Sequence, residues 1–136
     1  MADVLVVESV PLVRQMITNI LRDAGLNVAE ADSADAALGT LEAASHAPDV
    51  LVTGTELGRG RMDGRTLAGK LRRRLPSLAV IYLAEHSAAV PEEALDVRER
   101  YLTKPFEPAR LAQLVCEMAP PCPNRPRLIR GRPVMR

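Results

Sequence analysis

Two rhythms of apolar residues alternate along this chain. Short valine- and leucine-rich runs predict strands: "DVLVV" at 3–7, "LNVAEA" at 26–31, "DVLVT" at 49–53, "LAVIYLA" at 78–84 and "RYL" at 100–102. Between them apolar residues recur every three or four positions, which predicts helices. Pro11 opens the first helix where a missing N–H costs nothing. Leu12, Val13, Met16, Ile17, Ile20 and Leu21 form its apolar face, and Gly25 ends it. Asp32 or Ser33 caps the second helix, whose face carries Ala36, Ala37, Leu41 and Ala44 and which Pro48 stops. A third helix covers about 64–75, with Leu67, Leu71 and Leu75 inward and Lys70, Arg72, Arg73 and Arg74 outward, and Pro76 terminates it. A short helix is expected at 91–97. Glu107 to Met118 forms the last one, with Leu111, Leu114, Val115 and Met118 inward.

Strands that are apolar throughout and alternate with helices belong to a parallel sheet covered on both faces. Right-handed crossovers then favour an α/β, doubly wound, five-stranded parallel sheet of order 2-1-3-4-5 with five helices. This organisation accounts for residues 1–118. The remaining segment, "APPCPNRPRLIRGRPVMR" at 119–136, holds five of the chain's 11 prolines and reads as a Pro/Arg-rich tail.

Composition narrows the function classes. The chain has 136 residues, 47% apolar and 26% charged, which suits one globular domain with a real core. Aromatic residues make up 2%, too few for a platform that stacks nucleic-acid bases. No run of about 18 apolar residues appears, so no membrane span is expected. The opening "MADVLVVES" lacks the positive start of a secretion signal, so a cytoplasmic location is expected. Cys116 and Cys122 form no disulfide framework, and His46 and His86 stand at no zinc spacing from them. The net charge of +1 is unevenly spread, because the tail holds five arginines and no acid. Without those five, 13 basic residues face 17 acids in 1–118, a net of −4.

In this architecture chemistry gathers outside the carboxyl ends of the strands, where strand order reverses. The loops meeting there bring Glu8 and Ser9, then Gly54 to Glu56, then Ala84 and Glu85, then Thr103, Lys104 and Pro105. Four stretches, "VLVVESVPLVR", "PDVLVTGTELGRGRMDG", "VIYLAE" and "YLTKPFEPARL", follow in order at domain-scale spacing. With them the chain resembles, over about 3–118, the receiver domain of two-component response regulators, which is flavodoxin-like. The second stretch is especially similar to single-domain bacterial receivers.

The resemblance implies a phosphorelay role. A working receiver takes a phosphoryl group from a histidine kinase onto an aspartate. Such transfer needs a nucleophilic carboxylate, a magnesium ion held by carboxylates, a lysine on the phosphoryl oxygens and a hydroxyl that reports the modification. In this chain the acidic pair is reduced to Glu8 and Ser9. The acceptor position is Gly54 and the hydroxyl position is Ala84. Lys104, followed by Pro105, stands as the family has it, and Tyr101 matches the family's switch aromatic.

The expected reading is therefore a degenerate receiver, or pseudo-receiver: no enzyme, no metal or cofactor, and action through protein contact without phosphorylation. Its expected partner is a histidine kinase, a phosphotransfer protein or another receiver, with a homodimer also open and nucleic acid disfavoured. The face around the fourth and fifth strands and the last helix is the expected docking surface. The alternative is a sensor of small anions or metabolites that uses the vacated pocket and Lys104. Thr53 and Thr55 are poor phosphoryl acceptors without an activating base. Glu8 is expected to pair with Lys104, with Glu56 as a second candidate. Asp63 is expected to cap the third helix. Arg59, Arg61, Arg65 and the 70–74 cluster read as a solvated basic face or as a patch for an acidic partner.

Overall fold

In a computed structural model the structure describes residues 3–43, 47–55, 63–84 and 98–119. Five strands, β1 (Asp3–Val7), β2 (Asn27–Ala31), β3 (Val50–Gly54), β4 (Ala79–Ala84) and β5 (Glu99–Thr103), form one parallel sheet of order β2-β1-β3-β4-β5. The described helices are α1 (Pro11–Asp23), α2 (Ala34–Ala43), α3 (Gly64–Arg74) and α4 (Pro108–Met118). The expected helix at 91–97 and the tail beyond Ala119 lie outside the described residues. None of the described helices is long and apolar enough to cross a membrane.

Alternation along the central strands sends side chains to both faces. Val4 and Val6, with Val50, Val52, Ile81 and Leu83, pack under Ile17 and Leu21 of α1 and Leu111, Leu114 and Val115 of α4. Leu5 and Val7, with Leu51, Val80 and Tyr82, pack under Ala34 and Ala37 of α2 and Leu67, Ala68 and Leu71 of α3. The continuous burial of β1, β3 and β4 thus follows from helices on each side.

The ends of α1–α3 follow local chemistry. Gly25, at φ +88°, lets the chain leave α1 with Leu26 N–H on the Leu21 carbonyl and Gly25 N–H on that of Arg22. Ser33 takes the cap of α2, its hydroxyl accepting from Ala36 N–H at 3.1 Å. Asp63 caps α3 by accepting from Thr66 N–H at 2.8 Å, as expected.

The face assigned to α1 needs correction. Leu12 is 78% exposed and Met16 45% exposed, while Thr18 is buried beside Ile17 and Leu21. The six apolar residues of α1 cover about half its circumference, and the sheet and α4 cover only the side centred on Ile17 and Leu21. Ala36 is likewise exposed, whereas Ala34 and Ala37 carry the contact of α2.

Gly64 opens α3 against the end of β3. Its N–H donates to the Thr55 carbonyl at 3.0 Å, and a Cβ there would overlap the Gly54 carbonyl oxygen. Gly69, on the exposed side of the same helix, has nothing within 4 Å of an added Cβ. Gly64→Ala should therefore lower stability by about 2 kcal/mol. Gly69→Ala should raise it by about 0.5–1 kcal/mol. Urea unfolding of both variants checks the pair, and similar midpoints would contradict the packing described here.

Candidate functional site

The strand register brings the expected site residues to one edge. Val7 lies opposite Thr53, Gly54 opposite Leu83, and Ala84 opposite Thr103. Backbone bonds tie the loops just beyond: Thr55 N–H donates to the Leu83 carbonyl at 3.2 Å and Lys104 N–H to that of Ala84 at 2.8 Å. Gly54 and Ala84 are buried, and Ser9 is half-buried. The Lys104–Pro105 peptide is cis.

Glu8 is the centre of this edge. Its side chain is 3% exposed, and its Oε1 lies 3.2 Å from Lys104 Nζ, whose side chain is 20% exposed. Its Oε2 accepts from Val10 N–H at 3.2 Å, just ahead of α1. Its backbone is held as well, with the carbonyl accepting from Arg14 Nη1 at 2.8 Å and the N–H donating to the Ala31 carbonyl at 3.1 Å. A carboxylate this buried needs both a counter-ion and hydrogen bonds, and Glu8 has each. The expected Glu8–Lys104 pair is thus formed. Glu56, the second candidate, lies outside the described residues, as do Arg59, Arg61 and His86.

The resemblance to receivers implies magnesium, a hard cation that demands carboxylate oxygens and open coordination positions. The donor set does not match. Both oxygens of Glu8 are engaged, and Ser9 and Gly54 bring no carboxylate. Among the described residues no group of three or more His, Cys, Asp or Glu could hold a metal ion. Thr53 is also committed, its buried hydroxyl donating to the Gly54 carbonyl at 3.0 Å.

A second cluster was not anticipated. Tyr82 donates from its hydroxyl to Glu99 Oε2 at 2.8 Å, and Arg72 Nη1 lies 3.7 Å from the same oxygen. Arg72, expected to point outward, instead leans toward β5. Burial, then the hydrogen bond to Glu99, push the Tyr82 phenol well above its usual value. These side chains line a groove of about 460 Å³ along α3, together with Asp63, Arg65, Thr66 and Gly69. The available signal was one hydroxyl in the otherwise apolar run of β4. Tyr101, the expected switch aromatic, is half-buried against the core on this same face.

The Thr66 backbone N–H holds the Asp63 carboxyl below its usual 3.8. A lowered folded value adds stability above the unfolded value and loses it as the pH falls through the folded one. The stabilising effect of this cap should thus fade below about pH 4, and Asp63→Ala should cost about 1 kcal/mol at neutral pH. Thermal melts of parent and variant across acid pH read both. For the buried pair, Glu8→Ala should cost about 3 kcal/mol. Combined with Lys104→Met, it should cost less than the two changes summed. Equal urea midpoints for parent and Glu8→Ala would contradict the pair's role.

Comparison with known proteins agrees with this fold. Residues 4–116 match the response regulator receiver domain family. The nitrogen assimilation regulatory protein NtrX of Azorhizobium caulinodans is 30% identical over 115 residues, covering 80% of this chain and 24% of that protein. An uncharacterised 14.6 kDa protein of Leptolyngbya boryana is 34% identical over 130 residues, covering 88% of this chain and 93% of that one. The receiver domain of NtrX from Brucella abortus superposes with a TM-score of 0.76 at 25% identity, over 85% of this chain and 97% of that domain. The chain spans about a quarter of the length of the first two curated relatives, 24% in each case. From residue 4 to residue 116, this chain belongs to the response-regulator receiver family.

Proposed function

We propose that this receiver signals by protein contact without accepting a phosphoryl group. One observation carries the reading: the lysine that should meet the phosphoryl oxygens is paired instead with the buried carboxylate of Glu8, at the edge where β3 ends in Gly54. Glycine offers no atom to phosphorylate. Both oxygens of Glu8 are already engaged, and Ala84 has no hydroxyl to report a phosphate. The internal pair holds the β5–α4 connection to the start of α1, so this edge keeps one arrangement. The partner on this reading is a histidine kinase, a phosphotransfer protein or another receiver in a cytoplasmic phosphorelay. The surface around β5 and α4, at the edge next to the buried β4, is one docking surface. Exposed Val10, Leu12 and Met16 at the start of α1 add an apolar one, in keeping with action by contact.

The anion-sensor alternative is disfavoured by the same pair, since an anion would have to displace a carboxylate already 3.2 Å from Lys104. Incubation with acetyl phosphate and magnesium, followed by intact-protein mass spectrometry, tests the proposal. The expected result is unmodified protein. A phosphoryl adduct that persists in the Thr53→Ala/Thr55→Ala variant would overturn it.

A further inference from the structure

Helix α3, "GRTLAGKLRRR", carries five basic residues and no acid. Leu67, Ala68 and Leu71 face the core, which leaves Arg65, Lys70, Arg73 and Arg74 exposed and Arg72 half-buried. Among the described residues no hydrogen bond or ion pair engages the side chains of Lys70, Arg73 or Arg74. The helix dipole favours cations in the last turn, which accounts for Arg72–Arg74 in part. It does not account for Lys70 in mid-helix. It opposes Arg65, which sits in the first turn where the dipole is positive. Lys70 and Arg74 also repel one another at i,i+4. Residues 1–118 are net negative, so this is a local concentration of positive charge against the chain's own balance.

We infer that the exposed face of α3, with the groove beside it, is a docking surface for an acidic segment of a protein partner. The inference rests on the reading that the chain acts by protein contact, but not on the state of position 54. Three observations select this class of partner by charge complementarity. The groove is concave, about 460 Å³, and its lining includes Arg65 and Arg72. Its lining also includes the carboxylates of Asp63 and Glu99, which would meet the unbroken phosphate line of a nucleic acid at like charge. A protein segment can place its carboxylates on the arginines and spare those two sites. The exposed positions of α3 are Arg, Thr, Gly and Lys, with no apolar side chain to enter a lipid surface.

The test is fluorescence anisotropy of the full chain with labelled short poly-L-glutamate, at low salt and at about 0.15 M salt. A DNA duplex and phosphatidylserine vesicles serve as competitors. Saturable binding of polyglutamate that weakens with salt is expected, with a loss of about tenfold or more in Arg65→Gln/Arg73→Gln/Arg74→Gln. Amide shift changes should map to α3, and the variant should still melt cooperatively, close to the parent's temperature.

No binding at low salt would overturn the inference. So would tighter binding of DNA or vesicles, or shift changes confined to the arginines at 125–136. Binding that appears only in a Glu92→Gln/Glu93→Gln background would overturn it as well, because the chain's own carboxylates would then occupy the face. None of these outcomes touches the phosphorylation assay, so failure here is distinguishable from failure of the proposed function.

Discussion

A carboxylate at the end of β1, shut away from water, can keep its charge only if a cation comes to it. In this protein Lys104 does so from the far side of the sheet, reaching Glu8 at 3.2 Å across the ends of β3 and β4. The pair joins the first and last parts of the domain. Because Val10 N–H takes the second oxygen, it also sets the entry to α1. Removing one partner leaves a buried charge without compensation, which costs far more than an exposed pair returns. Among the described residues, Glu8 and Lys104 thus offset one another's charge at this edge. A site that normally awaits a ligand to neutralise it has its neutraliser built in.

That balance bears on how such a domain passes information. Receivers that switch need two arrangements of comparable free energy and a ligand that prefers one. A lysine satisfied by a permanent carboxylate gains little from a transient anion, so the arrangement of the β5–α4 connection depends weakly on solutes. On the proposed reading, what varies is the partner, and specificity lies in surfaces. Besides the surface around β5 and α4, two others stand out. One is apolar, at the start of α1, and the other is cationic, along α3. They differ in what they ask of a partner, since apolar contact supplies affinity while charge supplies orientation and speed of encounter.

Close approach is the other constraint on this edge. The start of α3 lies so near the end of β3 that position 64 has room for hydrogen alone. The same helix then shapes the polar groove above Tyr82 and Glu99, where a phenol, a carboxylate and a guanidinium meet. A hydroxyl in a core strand must find a partner or forfeit its solvation, and Glu99 on the neighbouring strand is within reach. The groove therefore follows from one polar atom in a buried strand and one acid at the head of the next.

Much of this was legible in the residues themselves. Strand runs and helical periods located all five strands and α1, α3 and α4 to within about two residues; α2 was expected to run on through Ala44 toward Pro48, whereas its described part ends at Ala43. Uninterrupted apolar strands implied a parallel sheet, since only strands covered on both faces can dispense with polar residues. The Glu8–Lys104 pair was also readable as the first of two candidates, because the strand order brings the ends of β1 and β5 toward one edge and Glu8 and Lys104 carry opposite charges there; Glu56 was the other. Periodicity could not say which of the apolar residues of α1 would be covered. It reports the local repeat of a helix, whereas burial depends on which neighbours the crossovers bring alongside, and these left Leu12 and Met16 in solvent. Nor could it place Arg72 against Glu99, 27 residues away, or press Gly64 onto the Gly54 carbonyl. The chain by itself determined the elements and their order, through interactions over a few residues. The tertiary structure alone decided which side chains meet, since that depends on distances between elements that no local pattern encodes.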